Sequence, residues 1–298
     1  MIIQKLNQKG LISPPKFLPT NTHMLVRMGS VAYGCSVDCS DEDIYGFCIP
    51  PKQDVFPHLK GEIIGFGKQK SRFEQWQQHH IKDANKEYDF CVYSIVKYFD
   101  LCMNNNPNML DSLFVPLNCV LHMTAIGKKV RENRKLFIHK GCFHKFKGYA
   151  FSQIHKMKSK TPVRGSKRDK SIEKYGFDIK FAYHCVRLLD EVEQLLSTGE
   201  MDLQRNSSLL KAIRAGQWSQ EQIIDYFNEK EFELEKLYLK SPLPYKPDVA
   251  TIKELLLECL EMQYNDLNIS KKPVVDIVED LEEVVSIINR TLSKIDCL

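Results

Sequence analysis

The sequence predicts an α+β fold in which a mixed sheet with helices is followed by an all-helical region. In the first part of the 298-residue chain, short apolar runs bounded by Gly and Pro are typical of β-strands. From about residue 124 onward, apolar residues recur at the three- and four-residue spacing of helices. Hydrophobic residues make up 43% of the chain and charged residues 27%, a balance that supports a core and excludes a disordered chain.

The elements of the first part follow from local pattern. Residues 1–12 place apolar side chains at helical spacing, and the prolines that follow favour an extended linker. Short β-branched and aromatic runs predict strands, at residues 23–28, 44–50, 62–66, 73–81 and 87–93. Ser94 then begins a helix, which the three asparagines before Pro107 terminate.

The second part has the pattern of successive helices. Residues 180–196 place apolar side chains on one helix face, and Gly199 is a helix stop. Further helices, rich in acidic residues, are predicted at residues 220–239, 249–264 and 274–295. We therefore expect one domain at residues 1–123 and a helical domain at residues 124–298.

The net charge of +4 is unevenly distributed. Residues 140–174 contain eleven Lys and Arg against two acidic residues, whereas residues 221–298 contain seventeen acidic against nine basic residues. The basic segment could attract phosphates or could be a solvated, mobile arm. Phe146, Tyr149 and Phe151 are either stacking surfaces for single-stranded nucleic acid or core residues.

Composition also limits the class of protein. The N-terminal residues lack the features of a signal peptide, and no apolar run approaches the roughly 20 residues that span a bilayer. We expect a soluble, cytoplasmic protein without a membrane partner; its oligomeric state is not indicated. Ten scattered cysteines without a CxxC pair are typical of buried thiols. The spacing of Cys35, Cys39, Cys142 and His144 matches no standard zinc site.

A turn between two predicted strands carries polar residues suited to phosphate. Gly29 allows the backbone to turn tightly and approach a ligand closely. Ser30 offers a hydroxyl, and the amides of a helical turn that follows would attract an anion. A Gly-Ser pair alone is more often an ordinary turn.

Paired carboxylates follow this turn. Asp41 and Asp43 are two residues apart at the start of a strand, so their side chains are expected on one face, and that of Glu42 on the other. Two carboxylates on one face form a hard-oxygen site for Mg²⁺, although such an acidic run alone is usually a solvated loop or cap. Phosphate-binding groups beside a carboxylate pair are what nucleotidyl transfer requires.

This segment resembles the signature of the DNA polymerase beta-type nucleotidyltransferases. The matching residues are Gly29-Ser30, Ala32-Tyr33-Gly34, Ser40-Asp41, Asp43 and Gly46. Segments beginning at Asp89, Phe146 and Lys174 are similar to the predicted nucleotidyltransferases associated with RNA ligase and phosphatase genes. The similarity covers about residues 24–218. It implies the polymerase-beta-type sheet with helices, an NTP substrate, and Mg²⁺ or Mn²⁺ as cofactor.

The resemblance also implies roles for later residues. Asp89 matches a third metal-site carboxylate on a later strand, with a helix or turn cap as the alternative. Asp111 is expected to be structural. Lys180, His184 and Arg187 match positions that would contact the triphosphate or the acceptor, and their spacing predicts one helix face.

We therefore expect a metal-dependent nucleotidyltransferase that moves an NMP from an NTP to an acceptor hydroxyl. Asp41, Asp43 and Asp89 are its expected catalytic metal ligands, and Gly29 and Ser30 its phosphate contacts. An RNA end is the favoured acceptor, bound by basic side chains at Lys156, Lys158, Lys160, Arg164, Lys167 and Arg168. The alternatives are transfer to a protein hydroxyl (AMPylation) and a catalytically silent nucleic-acid-binding module.

Overall fold

The computed structural model describes residues 1–36, 41–55, 72–159 and 167–264. The described residues up to 256 belong to one compact unit, and residues 257–264 belong to a second. The division into domains at residue 123 stays a prediction. Several predictions lie outside the described residues: the strand at 62–66, the helix at 274–295, and Cys39, Ser40, Lys160 and Arg164.

The described residues of the first unit contain a five-stranded mixed sheet in the order β3-β4-β2-β1-β5. The strands are β1 at Thr22–Arg27, β2 at Glu42–Cys48, β3 at Gln75–Asp83, β4 at Lys86–Ser94 and β5 at Val120–Met123. The predicted strands at 23–28, 44–50, 73–81 and 87–93 are confirmed as β1 to β4. The sequence does not predict β5, because this edge strand is only four residues long and half-buried throughout.

Pairing of β2 with β4 assembles one end of the sheet. These strands are parallel neighbours, and Asp43 lies opposite Asp89 in their register. β1 is antiparallel to β2, and just beyond it the amide of Met28 donates a hydrogen bond to the carbonyl oxygen of Asp43 at 2.7 Å. Backbone hydrogen bonds therefore hold the Gly29 turn, Asp43 and Asp89 at one end of the sheet.

Helices account for most of the remaining described residues. They are α1 at Ile2–Gln8, α2 at Leu18–Asn21, α3 at Gly29–Ala32, α4 at Lys52–Val55, α5 at Ile95–Met103, α6 at Pro107–Phe114, α7 at Ala125–Glu132, α8 at Gly141–Ser159, α9 at Lys167–Tyr175, α10 at Ile179–Thr198, α11 at Ser207–Arg214, α12 at Gln220–Lys240 and α13 at Val249–Tyr264. Single 3₁₀ turns occur at Leu117–Cys119 and Arg134–Phe137. The α+β class predicted from the sequence is confirmed. Among the described residues, none of the helices combines the length and apolar character needed to cross a membrane.

The helix α10 organises the region after the sheet. The side chain of Asp178 caps its N-terminus by accepting the amide hydrogen of Lys180 at 2.9 Å. Its last residue is followed by Gly199 in the left-handed conformation, which confirms the predicted helix stop. Most of its side chains are buried, and it packs against α8, α11 and α12. This packing fixes the position of its N-terminal turn, which borders the candidate site.

The basic segment at residues 140–174 is largely helical where it is described. It comprises α8 and α9, with residues 160–166 outside the described ranges. Phe146 is fully buried in the core, whereas Phe151 is 60% exposed and Tyr149 half-buried. The cysteines of the described ranges are buried thiols, as predicted.

Candidate active site

A cavity of about 360 Å³ opens at the end of the sheet where β2 and β4 pair. It collects residues from the Gly29 turn, β2, β4, α9, α10 and α11. Its lining is Gly29, Ser30, Asp41, Asp43, Asp89, Arg168, Ser171, Tyr175, Asp178, Ile179, Lys180, Tyr183, His184 and Arg214. Seven of the sequence-predicted catalytic and nucleotide-binding residues therefore share one cavity, and Arg187 does not line it.

The turn at Gly29 requires glycine for two reasons. Its φ is +65°, in the left-handed region. A Cβ atom on Gly29 would lie 2.5 Å from Oδ2 of Asp43. The absence of a side chain therefore leaves open the space into which this carboxylate extends.

Alternation along β2 separates Glu42 from its acidic neighbours. Glu42 forms ion pairs with Arg27 at 3.2 Å and with Lys86 at 2.5 Å, outside the cavity lining. Asp41 and Asp43, on either side of it, both line the cavity. The predicted two-residue periodicity thus places these two aspartates together.

Negative charge accumulates around Asp43. Burial raises the pKa of its carboxyl group, and the carboxylates of Asp89 and Asp41 raise it further. Lys180, and more weakly His79, act in the opposite direction. Carboxylates that border one partly buried cavity are suitable donors for a hard divalent cation.

A bulge in β3 engages Asp89. The register of β3 against β4 shifts between Gln78 and Ile81, and His80 there has a φ of +56°. Its backbone amide donates to Oδ1 of Asp89 at 2.7 Å, and Nδ1 of His79 lies 3.6 Å from the same oxygen. Asp89 is thus held by the β3–β4 hairpin and does not act as a helix cap.

The three aspartates share the cavity, but their side chains do not meet at one point. Within the described ranges, no three or more His, Cys, Asp or Glu side chains are arranged closely enough to hold a metal ion. The zinc pattern considered in the sequence fails too, since Cys142 is buried whereas His144 is exposed. The residue types of the aspartate set fit Mg²⁺ or Mn²⁺, because all three are carboxylates bordering a cleft.

Part of the cavity wall carries cationic side chains. Lys180 and Arg214 line it together with Arg168, which was predicted to bind RNA. Arg168 lies 3.9 Å from Asp178 and 4.7 Å from the ring centroid of Phe181, so one face of its guanidinium is already packed. The lining therefore places these cations in the same cavity as the three aspartates and Asp178.

His184 contributes a neutral ring to this wall. Burial lowers its pKa well below the ordinary value, and the neighbouring cations Arg187, Lys180, Arg214 and Arg168 lower it further. At neutral pH the imidazole can donate or accept a hydrogen bond but does not add charge.

Arg187 lies in a buried network away from the cavity. Its guanidinium bonds to Asp111 and Glu191, and it stacks on the Tyr33 ring at 4.2 Å from the centroid. The Tyr33 hydroxyl donates to Asp111 at 2.9 Å. Arg187 is seven residues beyond Lys180, about 10 Å along the helix axis, which takes it past the cavity. The network ties the turn after α3 to α6 and α10.

Six lining residues are not among the predicted site residues: Asp178, Ile179 and Tyr183 at the start of α10, and Ser171, Tyr175 and Arg214. The last three lie on α9 and α11, far along the chain from the Gly29 turn. Arg214 lies 5.1 Å from the Tyr183 ring centroid. No local motif marks these positions, because only the packing of α9 and α11 beside α10 brings them to the site.

Of the remaining predicted RNA-binding residues, the two that the structure describes with their side chains do not line the cavity. Lys156 and Lys158 are exposed near the end of α8. Lys167 begins α9, and its side chain is outside the description, as are Lys160 and Arg164 entirely. Their proposed contact with RNA stays a prediction.

The chain was compared with known families and known proteins. A match to the structure of a nucleotidyltransferase-like protein from Exiguobacterium sibiricum has 10% identity and a TM-score of 0.28, and covers 97% of this chain and 90% of that one. No match is found among curated proteins. The family model described as RlaP, RNA repair pathway DNA polymerase beta family, matches residues 19–258, which include every lining residue of the cavity. The chain therefore belongs to the RlaP family of polymerase beta-type nucleotidyltransferases.

Proposed function

We propose that this protein transfers a nucleoside monophosphate from an NTP to an acceptor hydroxyl in a metal-dependent reaction. The observation that carries the proposal is the presence, in the lining of one cavity, of three aspartates, Asp41, Asp43 and Asp89, together with the cations Arg168, Lys180 and Arg214. A triphosphate–metal complex is complementary to such a site, because its metal needs carboxylates and its phosphates need cations.

The reaction is an in-line displacement at the α-phosphorus. The acceptor oxygen forms a new P–O bond, the bond to the bridging α–β oxygen breaks, pyrophosphate leaves, and the hydroxyl proton is released. Divalent cations held by the aspartates would neutralise the phosphates and align the attacking and leaving oxygens. Gly29 and Ser30 would contact the β- and γ-phosphates, and Lys180 and Arg214 would stabilise their charge.

RNA is the acceptor class that we favour. The basic segment at residues 140–174 supplies exposed cations on α8 and, through Arg168 on α9, reaches the cavity wall itself. The family description, which refers to an RNA repair pathway, supports the same choice. A protein hydroxyl is the alternative acceptor.

A second candidate function is nucleotide-dependent RNA binding without transfer. It is favoured by the hydrogen bond from the His80 amide to Asp89, which holds the third carboxylate in the hairpin. This candidate predicts that Mg-ATP and RNA bind without release of pyrophosphate.

The test is incubation with each α-labelled NTP, Mg²⁺ or Mn²⁺, and either total RNA or total protein. We expect label in RNA together with released pyrophosphate, and loss of both when EDTA removes the cations. Label in protein alone would favour AMPylation. If no acceptor is labelled although Mg-ATP binds in calorimetry, the silent module is the correct function.

A further inference from the structure

A second cavity opens beside the candidate active site. Its volume is about 630 Å³, within the range of about 300–1,000 Å³ of ligand sites. Residues 174–177, at the end of α9, form one side, and residues 216–222, between α11 and the start of α12, form the other. None of the residues that the sequence reasoning singled out as site residues lies in it.

Tyr175 lines both cavities, so the two cavities adjoin at this residue. Its ring packs directly on the backbone of Gly216, where an added Cβ atom would overlap the ring. Gly216 also has a φ of +76°, which favours glycine. The close packing on the turn after α11 fixes the ring, so a ligand extending from one cavity into the other must pass it.

The lining of the second cavity combines aromatic and amide side chains. Trp218 is half-buried, and its indole is held edge-on against Tyr226, with ring centroids 5.9 Å apart and planes at 79°. Gln217 and Gln220 lie beside it in the lining. Aromatic rings stack on nucleobases, and amides can donate to and accept from their edges.

We propose that the second cavity binds the nucleobase next to the acceptor end of a single-stranded RNA, with Trp218 as its stacking residue. This inference rests on the proposed function, because the terminal nucleotide must place its hydroxyl in the first cavity. The preceding nucleotide then passes Tyr175 and enters the second cavity.

The basic segment beside the second cavity favours a nucleic acid over a protein acceptor, whereas the lining itself carries one cation, Lys174, and one carboxylate, Glu221. Lys174, exposed at the rim of the second cavity, belongs to the basic segment at residues 140–174. A strand leaving the second cavity on that side would meet cations for its phosphates. A folded protein presenting a single hydroxyl to the first cavity would have no need of a stacking residue in the second.

The test compares variants of the full chain for binding of a fluorescein-labelled oligouridine decamer, measured by anisotropy in EDTA, and of Mg-ATP, measured by calorimetry. Trp218→Leu removes the aromatic ring and should weaken binding of the decamer by about 5-fold to 100-fold. Trp218→Phe should retain most of the affinity. Phe232→Leu is the matched control, because Phe232 is 61% exposed on the neighbouring helix α12 and lines neither cavity. Mg-ATP affinity should stay within about twofold in all three variants.

Equal affinity of Trp218→Leu and the parent for the decamer would overturn the proposal. The proposal would also be overturned if Trp218→Leu bound the decamer as the parent does but no longer transferred label to protein. That result would assign the second cavity to a protein acceptor. If Trp218→Leu does not fold, Gln217→Glu introduces a negative charge at an exposed position, and unchanged decamer binding by that variant overturns the proposal. If the parent transfers nothing, the proposed function fails, while the anisotropy series still decides whether Trp218 binds RNA.

Discussion

At the scale of single residues, the site depends on a glycine at position 29, because any side chain there would collide with the carboxylate of Asp43. The backbone of Gly29 is in the left-handed region, and a Cβ atom added to it would lie 2.5 Å from Oδ2 of Asp43. Substitution therefore affects the conformation of the turn and the position of the carboxylate together.

We expect Gly29→Ala to lower the free energy of unfolding by about 1–2 kcal/mol, because an L-residue is strained in the left-handed region. Transfer should fall more steeply, by about 100-fold, since displacement of a catalytic group by about 1 Å has an effect of that size. Urea unfolding and initial rates measure the two effects. A Gly29→Ala variant with parental transfer activity would contradict the proposed role of the turn.

Asp43→Asn should abolish transfer and yet stabilise the protein at neutral pH. The pKa of Asp43 is raised in the folded state, mainly by burial and then by Asp89 and Asp41, so ionisation at this position opposes folding. Ionisation of Asp43 therefore lowers the free energy of unfolding of the parent as the pH rises above about 4, the ordinary pKa of the group. Thermal unfolding at pH 7 should therefore give a higher Tm for Asp43→Asn, and the difference should shrink towards pH 4.

The control for this substitution is Glu42→Gln on the opposite face of the same strand. It removes ion pairs with Arg27 and Lys86 but leaves the cavity unchanged, so we expect transfer to persist. Retention of activity in Asp43→Asn, or equal loss in both variants, would be incompatible with the metal-ligand assignment.

At the scale of elements, α10 carries two sets of polar residues with different tasks. Lys180, Tyr183 and His184 line the cavity, whereas Arg187 and Glu191 bond in the interior. Asp111, Arg187 and Glu191 are 0%, 3% and 1% exposed, respectively. This network links α10 to the turn after Gly29 through Tyr33.

Arg187→Met should lower the free energy of unfolding by about 3–5 kcal/mol, because it leaves buried carboxylates without their cation. Lys128→Met is the control: it removes an exposed pair with Glu132 at 3.8 Å and should change stability by no more than about 1 kcal/mol. Urea denaturation followed by circular dichroism measures both. Equal, small effects would show that the Arg187 network does not contribute to stability, and a direct nucleotide contact would become the better explanation of Arg187.

At the scale of the whole molecule, the charge of the chain is divided between segments. The basic segment at residues 140–174 and the acidic chain after residue 221 nearly cancel in the net charge of +4. The consequence for function is a local field around α8 and α9, which the net charge conceals.

The double variant Lys156→Gln with Lys158→Gln should reduce the slope of log affinity for RNA against log salt by about 1.4, since each phosphate contact on a single strand contributes about 0.7. Affinity for Mg-ATP should change little, because neither lysine lines the cavity. A salt titration measures the slope, and Lys5→Gln with Lys16→Gln, both exposed outside the basic segment, serves as control. Identical slopes for the parent and the α8 variant would show that these lysines do not contact RNA, and a protein hydroxyl (AMPylation) would then be the favoured acceptor.

Local sequence determined most of the strands, several helices and one half of the candidate site. Alternation over Asp41, Glu42 and Asp43 was sufficient to separate cavity-lining carboxylates from a surface ion pair, because side chains of a strand alternate by necessity. Helix α10 and its stop at Gly199 were equally accessible, since hydrophobic spacing and a left-handed glycine are local properties.

Only the tertiary structure decided which distant residues share the cavity. The parallel pairing of β2 with β4 sets Asp89 beside Asp43, and the packing of α9 and α11 brings in Tyr175 and Arg214. Helical spacing put Arg187 on the same helix face as Lys180, and the structure places only Lys180 at the cavity. Spacing specifies a helix face, but it does not specify which residues pack against each turn of that face. Arg187 is instead buried, where it forms ion pairs with Asp111 of α6 and Glu191 of α10. Such contacts join residues far apart in the chain, and their energies depend on a packing that no local pattern encodes.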